Sequence, residues 1–280
     1  MIRLRPAIAA AVAALILSIF YAIGKPISAP FVDNVYVEEL TWVEVRDHLK
    51  RGHTTMIVPT GGVEQNGPHM VLGKHNYVVR EAAGRLARRL GNALVAPTIT
   101  YVPEGSIEKR DGHMAYPGTF TIPEETYESL LEYAARSAIA HGATEILFIG
   151  DSLYNQPAQE RVADRLSVEF ATQKIRVRQI SDYYDPQRNH QIDYLKSIGF
   201  DDQQIGGHAG IRDTSEVIAA FPEGVRMDLR KLHGGAGYQK SGVHGDPRLA
   251  TAEIGEKMLD LKVEAAFKQI MSLRAADPTS

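Results

Sequence analysis

The sequence predicts an α/β fold in which a mostly parallel sheet is covered by helices on both faces. Three short apolar runs, at 56–59, 93–96 and 145–149, are typical of buried strands. Segments with apolar residues at helical spacing separate these runs, and strands that alternate with helices form parallel sheets. Ligands of such sheets bind outside the carboxyl ends of the strands, so we expect the functional site at that edge.

The helices are predicted from their ends as well as from their spacing. Thr41 takes the N-cap position of a helix over 41–50. Gly91 stands just past a helix over 78–90, where a left-handed backbone favours glycine. Pro123 begins a third helix, and the two glutamates after it suit the positive end of the helix dipole. The next elements predicted are a helix over 158–171 and a strand over 175–180.

Composition places the chain among ordinary globular proteins. Its 280 residues are 44% hydrophobic and 23% charged, which is enough to bury one large core. The net charge of −3, without a Lys/Arg-rich face, gives no reason to expect a nucleic-acid partner. The absence of cysteine excludes disulfides, a thiol nucleophile and a Cys-ligated zinc. We therefore expect a single folded domain over 31–280.

The first thirty residues have the pattern of an export segment. Arg3 and Arg5 precede a nearly uninterrupted apolar run over 7–23, as in a secretory signal. The run is also just long enough for a spanning helix, and Pro26 and Pro30 crowd the cleavage region, so an uncleaved membrane anchor fits equally well. Either way, the folded part is expected in the periplasm or outside the cell, touching the membrane only through this segment.

The loop after the first strand carries the most informative residues. It reads Pro59-Thr-Gly-Gly-Val-Glu64-Gln-Asn66-Gly-Pro-His69-Met-Val-Leu-Gly-Lys-His75. A second turn, at 150–155, follows another strand and carries Asp151. Both turns leave carboxyl ends of strands, so we expect them to meet in one crevice. His69 is expected either to support Glu64 or to bind a ligand directly.

This loop resembles the signature of the creatininase family, Pro-x-Gly-x-x-Glu-x-His-Gly-Pro-His-Leu-Pro-Leu-x-x-Asp. Four further blocks resemble the family in the right order, at 40–45, 116–122, 208–215 and 241–251. The resemblance implies a three-layer α/β/α fold, often assembled as a hexamer. It also implies a site with two divalent metals that hydrolyses cyclic amides or related C–N bonds.

The chain departs from the family at the metal ligands. Asn66 stands where the family has a histidine, and Ser152 or Leu153 where creatininases have a glutamate. His75 and Asp151 look like an exchange of the family's aspartate and histidine. The resemblance then implies one divalent ion (Zn²⁺, Mn²⁺ or Fe²⁺) held by Glu64, His75 and Asp151. The alternative is that these three side chains form a hydrogen-bonded cluster without a metal.

The resemblance also supplies candidates for catalysis and substrate binding. His208 matches the family's pocket histidine and would transfer a proton beside Glu64, unless it only caps a helix. Asp213 matches a family glutamate or caps that helix. Candidates for substrate contact, each with an ordinary structural role as the alternative, are His113, Ser152, Tyr183 and Tyr184. Tyr183 and Tyr184 occupy the segment where creatininases carry tryptophans that sandwich the substrate. The only tryptophan of this chain, Trp42, lies far from that segment, so creatinine itself is not the expected substrate.

Two classes of function follow. The first is an exported, creatininase-like, metal-dependent hydrolase acting on a cyclic amide or related C–N bond, with a lactone or ester as a lesser alternative. The second is a non-catalytic binding or scaffold protein that kept the fold after losing the dinuclear site. In both cases we expect a small-molecule ligand and a homo-oligomer.

Overall fold

A computed structural model describes residues 30–233 and 238–277. The predicted export segment over 7–23 lies outside the described residues, and the boundary predicted at residue 30 stays a prediction. Among the residues that are described, no helix combines the length and the apolar character needed to cross a membrane.

The core of the molecule is one four-stranded sheet in which all strands are parallel. The strands are β1 (Thr55–Thr60), β2 (Ala93–Val95), β3 (Glu145–Gly150) and β4 (Arg176–Gln179). Their spatial order is β2-β1-β3-β4, and β1 pairs with β3 along its whole length, from Thr55 opposite Glu145 to Thr60 opposite Gly150. The loops that follow β1 and β3 therefore open at the same edge, as the sequence predicts.

The helices flank this sheet. They are α1 (Trp42–Lys50), α2 (Lys74–Leu90), α3 (Glu124–Ala140), α4 (Gln156–Glu169), α5 (Gln191–Ser197), α6 (Asp202–Ile205), α7 (Ile211–Ala220), α8 (Tyr238–Ser241) and α9 (Ala252–Ala275). The Thr41 cap is confirmed as a capping box with Glu44, and Gly91 ends α2 at φ +74°. Helix α2 begins four residues before the predicted start at 78, and α9 was not predicted.

Alternate residues of the strands enter two separate cores. Ile57 of β1 packs with Val79 of α2 and Val263 of α9 on one face of the sheet. Its neighbours Met56 and Val58 pack on the other face with buried side chains of α3 and α4. Continuous burial of β1 on both faces is what a central parallel strand requires. The expected three-layer α/β/α fold is thus confirmed.

Candidate active site

A cavity of about 530 Å³ opens at the carboxyl ends of β1 and β3. Its size is typical of a small-molecule site. The predicted residues that line it are Glu64, His75, His113, Asp151, Ser152, Tyr184, His208 and Asp213. The lining that was not predicted includes Lys74, Arg212, Glu216, His244 and Lys262.

His75 joins the two predicted carboxylates. Its Nε2–H donates to Glu64 Oε1 at 2.9 Å, and its Nδ1–H donates to Asp151 Oδ2 at 2.9 Å. Burial and the ammonium of Lys74 act to lower the pKa of His75, but the two carboxylates outweigh them and raise it to about 9. His75 is therefore an imidazolium between two anions at neutral pH, and Glu64, His75 and Asp151 meet as the sequence predicts.

The other oxygen of Asp151 is also occupied. Lys262 Nζ donates to Asp151 Oδ1 at 2.6 Å, and the hydroxyl of Tyr183 donates to the same oxygen at 2.9 Å. An ion held by Glu64, His75 and Asp151 would have to break at least one of the His75 hydrogen bonds beside this ammonium. That ligand set stays a prediction. The observed contacts fit more closely the alternative in which the same three side chains form a hydrogen-bonded cluster without a metal.

A different group of side chains could hold a metal ion. Glu64 Oε2 lies 3.2 Å from His113 Nε2, and Glu64 Oε1 lies 3.7 Å from His208 Nδ1. One ligand atom from each of the three residues lies within 4.8 Å of the others. We call Glu64, His113 and His208 the imidazole side of the cavity.

The imidazole side fits one divalent ion chemically. Burial lowers the pKa of His113 and lowers that of His208 to about 3, so both rings are neutral at pH 7 and keep a lone pair. His208 Nε2 lies 2.9 Å from the carbonyl oxygen of Gln65, a contact that a ring N–H satisfies. With the proton assigned there, Nδ1 presents its lone pair towards Glu64. An ion would take the place of the direct contact between His113 Nε2 and Glu64 Oε2.

The opposite wall consists of paired charges. Lys74 Nζ donates to Asp213 Oδ2 at 2.7 Å and lies 3.5 Å from Glu64 Oε1. Lys262, besides Asp151, donates to Glu216 Oε2 at 3.1 Å. We call Lys74, Asp151, Asp213, Glu216 and Lys262 the lysine side of the cavity.

Charge at the cavity balances within the chain. Four carboxyl groups face four cationic groups, and in their ionised forms the charges cancel. The carboxyl groups are Glu64, Asp151, Asp213 and Glu216, and the cations are Lys74, His75, Arg212 and Lys262. A buried charge is costly unless it is paired, so this balance explains how so many ionisable groups share one site.

A buried carboxyl group stands behind Glu64. Glu104 is 1% exposed, and a Cβ added at Gly62 would come within 2.4 Å of its Oε1, so only glycine permits this approach. Burial and the negative charge of Glu64 raise the pKa of Glu104 to about 9. Glu104 is therefore protonated at neutral pH and interacts with Glu64 as a hydrogen-bond donor.

The remaining predicted residues have structural partners. Tyr183 is fully buried behind Asp151 and does not line the cavity, whereas Tyr184 and the buried Ser152 do. His69 Nε2 bonds with Thr214 Oγ1 at 2.9 Å, away from Glu64. Asn66 donates to the carbonyl oxygens of Glu64, Val71 and Leu72 and so holds the loop closed. Asp213, in the first turn of α7, accepts from the backbone N–H of Ala209 at 2.8 Å, in addition to its bond with Lys74. The helix itself has no side-chain cap at Gly210, so this contact differs from the predicted capping.

Sequence reasoning does not identify several residues that line the cavity. Lys262 had a visible signal, because it shares an apolar helical stripe with Leu259, Val263 and Ala266, where a charge must find a buried partner. Lys74 and Arg212 lie inside the quoted motifs but were given no role. His244 also lies in a quoted block, and its backbone pairs with that of His208 across the cavity wall.

Comparisons with known proteins agree with this architecture. The family model "Creatininase: Creatinine amidohydrolase" matches residues 38–270. Creatinine amidohydrolase from Pseudomonas putida is 26% identical over 206 residues, which cover 70% of this chain and 75% of that protein. Mycofactocin precursor peptide peptidase from Mycolicibacterium smegmatis is 26% identical over 235 residues, covering 77% and 83%. A crystal structure of creatinine amidohydrolase superposes with a TM-score of 0.69 at 24% identity, covering 86% of this chain and 98% of that one. This chain therefore belongs to the creatininase family, with the fold of its amidohydrolases and peptidases and a group of residues that could hold a metal ion.

Proposed function

We propose that this protein is an exported, metal-dependent hydrolase that opens a cyclic amide or a related C–N bond. The observation that carries the proposal is the imidazole side, where one carboxylate and two neutral imidazoles converge in a cavity of small-molecule size. The names of the two relatives, an amidohydrolase and a peptide peptidase, both describe the cleavage of amide bonds.

Glu64, His113 and His208 would hold one divalent ion. Such an ion polarises a carbonyl group and lowers the pKa of a water molecule when it is bound. The protein's own contribution is to fix Glu64, whose Oε1 accepts from His75 while its Oε2 faces His113. Asp151, Lys262 and Tyr183 in turn fix His75.

His208 has one role in this arrangement. The sequence predicts that His208 transfers a proton. If its Nδ1 binds the ion, that nitrogen cannot also take this role. Hydrolysis adds a hydroxyl group to the carbonyl carbon and a proton to the leaving nitrogen. We assign the transfer of that proton to His244, which lines the cavity and whose ring has no hydrogen-bond partner among the residues described.

The assignment of His244 predicts a specific kinetic change. In His244→Gln we expect kcat to fall by about 10²–10⁴-fold with KM little changed, because general acid–base catalysis contributes in this range. The bound metal should stay at the wild-type level. A variant with normal kcat would remove His244 from the mechanism, and His208 would have to be reconsidered.

Elemental analysis with a substrate panel tests the function as a whole. The full chain, purified in mild detergent, is expected to carry about one equivalent of a divalent metal. It should hydrolyse at least one member of a panel of lactams, cyclic ureides and dipeptides faster than the matched lactones. Faster turnover of lactones would favour the ester alternative. No turnover of any member would contradict the enzymatic proposal.

A second candidate is a non-catalytic binding protein. The balance of charge at the cavity favours it, because the buried carboxylates are paired within the chain. This candidate predicts a stable fold with no metal after incubation with Zn²⁺, Mn²⁺ or Fe²⁺ and no hydrolysis. One bound equivalent together with turnover would exclude it.

Export and assembly are part of the proposal and are tested separately. Fusion of residues 1–30 to a reporter that is active only outside the cytoplasm should give signal, because the charge pattern and apolar length fit a signal or anchor. A silent reporter that is well expressed would contradict export.

Light scattering on the full chain should give a multiple of its 30.8 kDa mass after correction for detergent. A monomer at micromolar concentration would contradict the homo-oligomer, for which the family resemblance suggests a hexamer.

A further inference from the structure

Arg212 places unused hydrogen-bond donors at the cavity. Its side chain is 17% exposed and lines the cavity at the start of α7. Its only polar contact among the described residues is from Nε to Asp213 Oδ1, at 3.4 Å. The two terminal nitrogens of the guanidinium group, which carry four N–H donors, have no partner in the described part of the chain.

The carboxylates near Arg212 are engaged by closer cations. Asp213 is bound by Lys74 at 2.7 Å, and Glu216 by Lys262 at 3.1 Å. Gln191 Nε2 donates to the other oxygen of Glu216 at 2.6 Å. The charge of the guanidinium group is part of the balance described above, but its fork of terminal donors is not used by these contacts, in a mostly buried position where donors gain from an acceptor.

Tyr184 adds a second free donor. Its ring packs against the core that contains α2 and α9, and the residue lines the same cavity. Within the ranges described, its hydroxyl group has no hydrogen-bond partner. The hydroxyl interacts electrostatically with Arg212, and burial keeps the pKa of Tyr184 above its usual value, so it stays a donor.

The neighbours of this pair favour a carboxylate over a phosphate. A planar guanidinium fork matches the two oxygens of a carboxylate. Asp213 and Glu216 lie close by, so a second negative charge on the ligand would meet more repulsion. A monoanion with two coplanar oxygens suits these donors best.

We infer that the ligand of this cavity carries a carboxylate, which Arg212 binds through its terminal nitrogens with Tyr184 as an additional donor. The inference rests on the proposed function in that the cavity is the substrate site, and it makes the substrate an acidic amide, such as a lactam acid or a peptide with a free C-terminus. The carboxylate of the ligand lies beside Arg212. The bond to be cleaved lies in the same cavity and faces the imidazole side.

Thermal unfolding of the full chain with small fragments tests the inference without requiring turnover. Propionate and propionamide, at equal concentration and ionic strength, differ only in the group that Arg212 would bind. Propionate should raise the Tm and should bind at least about tenfold more tightly than propionamide, as expected for a charge-assisted pair. In Arg212→Met this preference should disappear, and in Tyr184→Phe it should fall by a few-fold.

Two further variants keep the test decisive. Arg212→Lys keeps the charge but lacks the fork, and it should lose most of the preference even if Arg212→Met folds poorly. Arg188→Met is the matched control, because Arg188 is 62% exposed and pairs with Asp182 and Asp185 away from the cavity. The control should keep the wild-type preference.

The unfavourable outcomes are distinct. Equal effects of propionate and propionamide, or a preference that survives in both Arg212 variants, would overturn the inference. A larger Arg212-dependent shift with inorganic phosphate would replace the carboxylate with a phosphate and also overturn it. Absence of hydrolysis, by contrast, would contradict the proposed enzyme while the fragment result still reports on the carboxylate site.

Discussion

The two sides of the cavity meet at Glu64 but accommodate their buried polar groups in different ways. On the imidazole side, Glu64, His113 and His208 carry one negative charge among two neutral rings. On the lysine side, every carboxylate contacts an ammonium within 3.1 Å. One side offers lone pairs to a ligand, and the other has already used its charges within the chain.

The comparison indicates what the altered ligand positions mean. In the family pattern a histidine occupies the position of Asn66 and a glutamate that of Ser152 or Leu153, and the resemblance implies two metals. Here the ammonium of Lys262 lies on Asp151, so positive charge at this position comes from the protein. This arrangement supports the proposal of one divalent ion, on the imidazole side.

The metal content of single variants gives the largest expected difference between the two sides. We expect about one equivalent in the wild type and in Asp151→Asn, but close to none in His113→Ala and His208→Ala, since loss of one of three ligands removes most of the affinity. Elemental analysis after dialysis measures this, with circular dichroism to confirm folding. Loss of metal in Asp151→Asn and His75→Gln, with retention in His113→Ala, would instead support the ligand set of Glu64, His75 and Asp151.

Removal of the ammonium should have the next largest effect. In Lys262→Met we expect the free energy of unfolding to fall by about 3–5 kcal/mol, because Asp151 and Glu216 lose their shared buried partner. Urea unfolding measures the change. Lys268→Met, on the same helix and 72% exposed, is the matched control and should have little effect. Equal effects of the two substitutions would mean that the lysine side is not held by its ion pairs.

Tyr183→Phe should produce the smallest change. It removes one hydrogen bond to Asp151 and leaves the ring in place, so we expect a loss of about 1.5–3 kcal/mol in the free energy of unfolding. Metal content should not change, because the Tyr183 hydroxyl bonds to Asp151, on the lysine side. Tyr133→Phe, at an exposed tyrosine, serves as the control. A drop in bound metal in Tyr183→Phe would show that the two sides are not independent.

The fold and part of the site were predictable for a simple physical reason. Apolar runs such as 145–149 are unambiguous when helices separate them, and the carboxyl ends of neighbouring parallel strands must share an edge. That rule brings Glu64 and Asp151 to one crevice. It does not specify what lies between them, and a sequence cannot distinguish His75 as a metal ligand from His75 as an imidazolium between two carboxylates.

The lysine side was harder to predict because its partners are remote in sequence. Lys262 and Asp151 are 111 residues apart, and Lys262 and Glu216 are 46 apart. Pattern analysis judges a lysine by its neighbours along the helix, and by that criterion Lys262 is an anomaly in an apolar stripe. Only the docking of α9 against α7 and α2 gives it a function.

The late position of Lys262 also has a consequence for synthesis. Asp151 and Glu216 leave the ribosome well before Lys262, so the nascent chain carries these two carboxylates before their shared cation exists. Native closure has to wait for the last helix, and a chain that stops before residue 262 would bury two carboxylates without their shared cation. We therefore expect Asp151 and Glu216 to reach their paired state only in a chain that extends through Lys262.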